Sequence, residues 1–383
     1  MVLKIVKHVS RIFIGIVFAF SGYVKAVDPL GFAYKLDDYL DAFGMPWLEP
    51  ITLPLGVLAC VLEFGIGILF LANVFIKYAA WIEMAFMAFF TPLTLYLALQ
   101  EMISGHEMVH DCGCFGDAWI LTNWETFFKN LIILVPSIFL FVKRNSFSSA
   151  FSCKIDIAIA TTVFLTGISI SVYAYLHLPQ HDFRPYKIGT NIPEAMTVPE
   201  GAPQPVYETY LYYKKDGETK EFTMETYPKE PGWEFVDSKS ILIEKGYEAP
   251  IHDFTIVSDE EGDITEDVLA DSNYSILVVA YSLPKASIKN AQKLNALYEY
   301  CNKKGFAFRA LTSSMDEEIQ RFRDKSGAKY PFYATDPITL KTVIRANPGI
   351  VLLKDGTIIN KWHGNDLPDI ESLKKDYFEN TQQ

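Results

Sequence analysis

Cysteine is scarce in this chain: five in 383 residues. The number is odd, leaves at most two intrachain pairs and excludes a scaffold built on disulfides. Basic residues are also outnumbered, 34 Lys and Arg against 46 Asp and Glu, for a net charge of −12. Most of that acidic excess lies after residue 178, which argues against nucleic acid as a partner. No small-residue cleavage site follows the first apolar run, so that run reads as a retained helix, not a removed leader. What is abundant is hydrophobic character, half of all residues, and it is concentrated before residue 178. The remainder reads as ordinary soluble sequence. A chain of this length has room for two or three domains, and composition places them at 1–178, 179–250 and 251–383.

Five segments reach or approach the length of about 20 apolar residues that crosses a bilayer: Ser10–Val27, Ile51–Leu71, Tyr78–Leu99, Thr126–Val142 and Ile155–Leu176. The first fold-class expectation is therefore an α-helical membrane bundle with five transmembrane helices in contact with lipid. Orientation follows from where the bases fall. Lys4, Lys7 and Arg11 precede the first span, Lys77 separates the second and third, and Lys143, Arg144 and Lys154 separate the fourth and fifth. The alternate loops are acidic, with Asp28, Asp37, Asp38, Asp41 and Glu49 in one and Glu101, Glu107, Asp111, Asp117 and Glu125 in the other. The expectation is an inner-membrane protein with its N-terminus inside and residues 179–383 in the periplasm.

Ionisable groups inside such spans mark functional positions by default. Glu63 and Glu83 fall at similar depth, on the order of 10 Å from the cytoplasmic ends by helical rise, where they could share a proton or line one polar cavity. Lys25 is expected to reach outward toward Asp28. Glu63 lies beside Phe64, Gly65, Ile66, Gly67 and Ile68, a face suited to close helix packing.

The densest signal is Asp111-Cys112-Gly113-Cys114-Phe115-Gly116, in an acidic loop on the outer side. Two thiols one residue apart can exchange with other thiols, and the intervening glycine permits the backbone a small ring demands. So short a loop gains little chain-entropy stabilisation, which favours a redox pair over a static structural disulfide. Asp111 and Asp117 would raise the thiol pKa values, and protonated His106 or His110 would lower them. The two histidines and two thiolates also form a set suited to Zn or Cu, with spacing unlike a standard finger. All three readings stay open on the residues alone. Cys60 and Cys153 are expected to pack as small hydrophobes.

The stretch Phe18 to Pro29 (Phe-Ala-Phe-Ser-Gly-Tyr-Val-Lys-Ala-Val-Asp-Pro), followed by Gly31, Phe32 and Ala33, resembles the first helix and loop of the DoxX family. Leu62-Glu63-Phe64-Gly65 resembles the acidic–glycine motif of that family's second helix. The Cys112–Gly116 string is similar to the loop of the MauE branch, implicated in maturing a periplasmic enzyme rich in disulfides. The resemblance covers about residues 10–142. It implies Cys112 and Cys114 as the reacting pair, an exported protein client, and a quinone as the electron acceptor of related membrane redox proteins.

Residues 179–250 read as a small β-rich connector, with Lys215-Asp216-Gly217 joining two strands and two more expected at Trp233–Val236 and Ser240–Ile243. In 251–383 the expected order is strand Ser275–Tyr281, helix Ala286–Lys303, strand Ala307–Thr312, helix Asp316–Lys325 capped by Ser314 or Asp316, and helix Thr339–Ala346. Strands Gly349–Leu353 and Thr357–Trp362 and helix Leu367–Phe378 complete it. That order resembles an α/β thioredoxin-like fold of the TlpA or peroxiredoxin type, and Pro348 stands at its cis-proline position. The family's Cys-x-x-Cys is missing: Tyr281 to Ser287 occupies its place, and Cys301 reads as core. The region is therefore expected to bind a client rather than perform dithiol chemistry. A non-catalytic envelope scaffold and a membrane protein handling metal or solute through Glu63, Glu83 and the His–Cys loop are the alternatives.

Overall fold

The computed structural model describes residues 2–104, 108–109, 111–149, 151–204, 206–229, 231–244 and 246–379. The N-terminal part is helical: α1 (Val2–Val27), α2 (Pro29–Ala42), α3 (Glu49–Ala72), α4 (Ile76–Ser104), α5 (Asn123–Lys143) and α6 (Cys153–Leu176). Among the described residues four helical stretches are long and apolar enough to cross a membrane: Pro46–Ala72, Ile76–Ser104, Asn123–Ser146 and Cys153–Leu176. The first expected span, Ser10–Val27, falls in α1, which carries Lys4, Lys7, Arg11 and Lys25 along its length and stands outside that set. Four crossings, not five, rest on length and composition.

The tightest helix crossing is α1 on α3. A Cβ on Gly22 would lie 2.1 Å from the backbone nitrogen of Phe64, and one on Gly67 2.1 Å from that of Ala19. Only glycine lets the two backbones approach so closely. At one end of the crossing the buried Arg11 guanidinium donates to the carbonyls of Phe70 and Leu71, the last turn of α3. Both fall among the last four carbonyls of the helix, which lack the regular intrahelical donor; Phe70 also accepts from the Asn73 amide at 3.2 Å. At the other end the crossing brings Lys25, one turn beyond Gly22, opposite Glu63.

The acidic stretch expected to be loop is largely helix α2. Asp28 caps it by accepting from the Gly31 amide at 3.0 Å, and Pro29 occupies the first turn, where its missing N–H costs nothing. A run of aspartates hid a helix whose start is nevertheless well specified.

The unit 192–252 stands by itself. After a short helix α7 (Ile192–Met196) it forms an antiparallel sheet of β1 (Val206–Lys215), β2 (Glu218–Thr223) and β3 (Glu234–Glu244), ordered β2-β1-β3. Asp216 and Gly217, both with positive φ, make the expected turn. The two strands expected beyond it are one, continuous through Asp237 to Lys239.

Residues from Asp253 onward belong with the helical part in one compact unit. They form β4 (Val257–Ser258), β5 (Gly262–Asp263), α8 (Thr265–Leu269), β6 (Tyr274–Val279), α9 (Ala291–Lys304), β7 (Ala307–Thr312) and α10 (Asp316–Ser326). Then come β8 (Phe332–Ala334), α11 (Pro337–Val343), β9 (Gly349–Lys354), β10 (Thr357–His363) and α12 (Ile370–Leu373). The sheet order is β10-β9-β6-β7-β8-β4-β5, with β6, β7 and β8 parallel and β9 antiparallel to both β6 and β10. Its core includes Ile276, Val278, Leu297, Cys301, Ile350 and Leu352. The Asn347–Pro348 bond is cis, as the sequence leads one to expect. Neither Ser314 nor Asp316 caps α10. Met315 holds that position without a side-chain bond, and Ser314 instead accepts from the Leu283 amide at 3.1 Å. α11 starts earlier than expected because Asp336 caps it through the Thr339 amide.

The segment after α6 is strapped to this sheet by a buried charge cluster. Asp182 accepts from Arg184 Nε at 2.8 Å and from Lys361 Nζ at 2.6 Å, and both cationic side chains are almost wholly buried. Although burial alone would raise it, the Arg184 and Lys361 charges hold the Asp182 carboxyl down to about 2. Its folded-state value lies below the ordinary one. The contribution to stability is therefore whole above the usual carboxylate range and is lost as pH falls toward about 2. Asp182→Asn leaves two buried cations without a counter-ion and should cost roughly 3–5 kcal/mol near neutral pH. The gap to the parent protein should narrow in acid. Thermal unfolding of the full chain across pH checks it, and a constant gap down to pH 2 would contradict the assignment.

Candidate functional site

The cysteine loop lies between α4 and α5, where the capping box of Thr122 and Glu125 fixes the start of α5. Cys112 and Cys114 are joined as a disulfide, with their Cα atoms 5.4 Å apart. Gly113 has φ of +63°, and a Cβ there would lie 2.9 Å from Lys35 Cγ. Both the left-handed backbone and the contact with α2 require glycine. Asp111 Oδ1 accepts from the Gly113 amide at 2.6 Å while its other oxygen takes Lys35 Nζ at 2.9 Å. Burial disfavours the Lys35 charge, but Asp111 and Asp38 outweigh it and hold its pKa above the ordinary lysine value. The Cys114 amide points at Cys112 Sγ from 3.2 Å, and the Thr126 hydroxyl lies 3.5 Å from the same sulfur.

Beneath the disulfide runs a polar chain into the bundle. Ser21 Oγ is 2.7 Å from the Cys114 carbonyl and 2.8 Å from Glu63 Oε2, and that oxygen is 2.5 Å from Lys25 Nζ. Lys25 and Glu63 are both buried. One hydroxyl proton faces two acceptors, so Ser21 can satisfy only one of them at a time. A proton placed on Glu63 lets Glu63 donate to Ser21 and Ser21 donate to the carbonyl, in series.

The loop separates two cavities. One, with an empty volume of about 540 Å³, is lined by both cysteines, Lys25, Glu63, Lys129 and several aromatic rings including Phe86 and Phe90. The other, about 570 Å³, lies on the Gly113 side and is lined by Asp28, Lys35, Asp111, Asp117 and Arg184. Lys25 lines both.

The sequence expectations fare unevenly. Lys25 does not reach outward to Asp28; it turns inward to Glu63, and Asp28 pairs with Arg345. Glu63 and Glu83 do not line one cavity. Glu83 is fully buried in α4, with no hydrogen-bond partner for either carboxyl oxygen among the described residues. The pair is less open than expected, with Cys112 only 5% exposed and Cys114 half-buried. Cys60 and Cys301 are buried, but Cys153 is exposed, because it begins α6 instead of packing inside it. His106 and His110 lie outside the described residues. Among the described residues no group of three or more His, Cys, Asp or Glu could hold a metal ion. Pro348 precedes β9, and Asn347 Nδ2 donates to the Ser282 carbonyl at 2.8 Å. That bond ties the loop before β9 to the turn after β6.

Sequence reasoning missed Ser21 and the inward Lys25. The signal was present: Ser21 and Lys25 are four apart and share a helix face. Arg345 gave no local signal at all.

Residues 3–143 match the family described as methylamine utilisation protein MauE. Residues 207–245 match a family described as a domain of unknown function (DUF8463). Among curated proteins, none matches the chain. A solution structure described as a candidate protein disulfide isomerase from Bacteroides thetaiotaomicron is 18% identical over 33% of this chain and 84% of its own, with a TM-score of 0.27. A likeness that low carries no argument. The similarity to MauE, by contrast, spans the stretch that holds α1 to α5, the cysteine pair and the Ser21–Glu63–Lys25 chain.

Proposed function

We propose that this chain is an inner-membrane thiol–disulfide relay for exported proteins, with Cys112–Cys114 as the exchanging bond. The observation that carries the reading is the seat of the disulfide: Ser21 links the Cys114 carbonyl to a buried Glu63–Lys25 pair. A static cross-link has no use for a proton-handling chain beneath it. In the proposed step a client thiolate attacks Cys114 Sγ, the Cys112–Cys114 bond breaks, and Cys112 leaves as a thiolate. The Cys114 amide and the Thr126 hydroxyl lie where they stabilise that thiolate. The client's second thiol then attacks its own mixed-disulfide sulfur. The client loses two electrons, and the pair becomes a dithiol.

Two electrons and two protons must next leave the dithiol. A quinone has that stoichiometry, and the cavity beside the cysteines is lined by aromatic rings such as Phe86, Phe90 and Phe115. With α1 taken as a fifth crossing beside the four apolar helices, the charge pattern of the loops supports an N-terminus inside and residues 179–383 in the periplasm. A DoxX-type bundle agrees with the motifs of the first and second helices. The strand order of β7, β6, β9 and β10 supports a thioredoxin-like scaffold for 251–383. Without a cysteine pair of its own, it serves the relay and performs no exchange.

In cells, an impermeant thiol reagent should label the pair only after mild reduction. Changing both cysteines to serine should make misoxidised exported proteins accumulate. Unaltered client disulfides in the double variant would leave an anchoring scaffold as the better account.

A further inference from the structure

Arg345 lies between α11 and β9 and is 6% exposed. Its Nε is 3.1 and 2.9 Å from the two carboxylate oxygens of Asp28, and its Nη2 is 3.0 Å from Asp117 Oδ2. Nη1 donates to the Lys341 carbonyl. Asp117 follows Gly116 at the end of the cysteine loop. Asp28 caps α2, the helix whose Lys35 crosses Gly113 and pairs with Asp111. One guanidinium from the α/β region therefore grips both flanks of the Cys-Gly-Cys turn.

The same face makes further contacts with the membrane part. Tyr281 meets Tyr34 of α2 edge to face at 6.3 Å, and Lys341 lies 4.5 Å from the Tyr34 ring centre. Lys285 pairs with Glu49 at 3.0 Å. Tyr281 opens the turn whose Ser282 carbonyl takes Asn347 Nδ2, so these contacts pack that end of the sheet against α2 and the start of α3. A face already committed to α2 and the cysteine loop is not free to hold a client.

We infer that the α/β region is a cover for the Cys112–Cys114 pair, locked by Arg345, and that the partner of its Tyr281–Arg345 face is the chain's own membrane domain. The inference rests on the exchange reading above and replaces client holding with control of access. A client thiol reaches Cys114 when Arg345 releases Asp117 and Asp28. Arginine suits the lock because its planar fork spans two carboxylates, which a single ammonium cannot do. Asp117 is the more exposed of the two acids, with 39% of its side chain accessible against 16% for Asp28. Opening therefore starts on its side.

The test is the rate at which the disulfide of the purified full chain is reduced by a small phosphine and by reduced thioredoxin, a folded protein dithiol. The rate for the bulky reductant scales with the open fraction, so Arg345→Ala should raise it by about tenfold or more while the phosphine rate changes by less than about threefold. Arg345→Lys should fall between. Asp117→Lys, which repels Arg345 without touching the α/β core, should reproduce the size-selective gain and keeps the test decisive if Arg345→Ala does not fold. Rates that stay unchanged, or that rise equally for both reductants, overturn the cover. No client is needed, so failure here is distinct from failure of the oxidation phenotype in cells.

Discussion

Cys112→Ser should accumulate a client-linked species through Cys114 at about ten times the level that Cys114→Ser accumulates through Cys112, because exchange requires an accessible sulfur. The asymmetry comes from burial. Cys112 is 5% exposed and packed beside Thr126, whereas Cys114 is half-buried over the aromatic cavity. When Cys112 is absent, a Cys114 thiolate that attacks a client disulfide forms a mixed disulfide and frees one client thiol. No Cys112 thiol remains to resolve the bond from the relay's side, so the adduct breaks down only by return of the freed client thiol. When Cys114 is absent, the remaining thiol sits where an incoming disulfide cannot align. Non-reducing gels followed by identification of the cross-linked peptide measure both species. Equal trapping by the two variants, or more at Cys112, would remove the assignment of Cys114 as the attacked sulfur.

The apolar runs and the cysteine loop were legible because they are local. Hydropathy over a single helix gave the cores of α3, α4, α5 and α6 to within a few residues, and Cys-Gly-Cys needs no partner to be noticed. Strands β6, β7, β9 and β10 were readable for the same reason, since alternation and turn residues such as Lys354-Asp355-Gly356 are local, whereas β8, three residues long, was not expected. What stayed hidden was pairing across distance. Arg345 looks like the end of a helix, and nothing nearby indicates a carboxylate 317 positions away. Lys25 is three residues from Asp28 and 38 from Glu63, so local reading favoured the wrong acid. The close crossing at Gly22 and Gly67 decides between them, because it sets the two helices at a depth where the ammonium meets Glu63. Likewise α2 was obscured by its aspartates, although its cap, Asp28 with Pro29 behind it, was present in plain sequence.

The Lys25–Glu63 pair should prove expensive to break and cheap to remove whole. Lys25→Met leaves a buried carboxylate alone, and Glu63→Leu leaves a buried ammonium alone; each should destabilise the protein by about 3–5 kcal/mol. The double variant replaces both charges with apolar side chains of similar bulk and should recover most of that loss, which denaturant unfolding in detergent would detect as a coupling between the sites. Activity should not follow stability. With Glu63 gone, Ser21 faces only the Cys114 carbonyl, and no group remains to take up and return a proton beside the pair. Reoxidation of the reduced Cys112–Cys114 dithiol should then slow by about 10²-fold, the scale on which a positioned acid–base group contributes. A double variant that is stable and reoxidises at the parent rate would make the pair a packing device. A double variant as unstable as either single change would mean that the site is held by something other than the two charges. Stability restored without activity is the outcome that ties the buried proton chain to the chemistry above it.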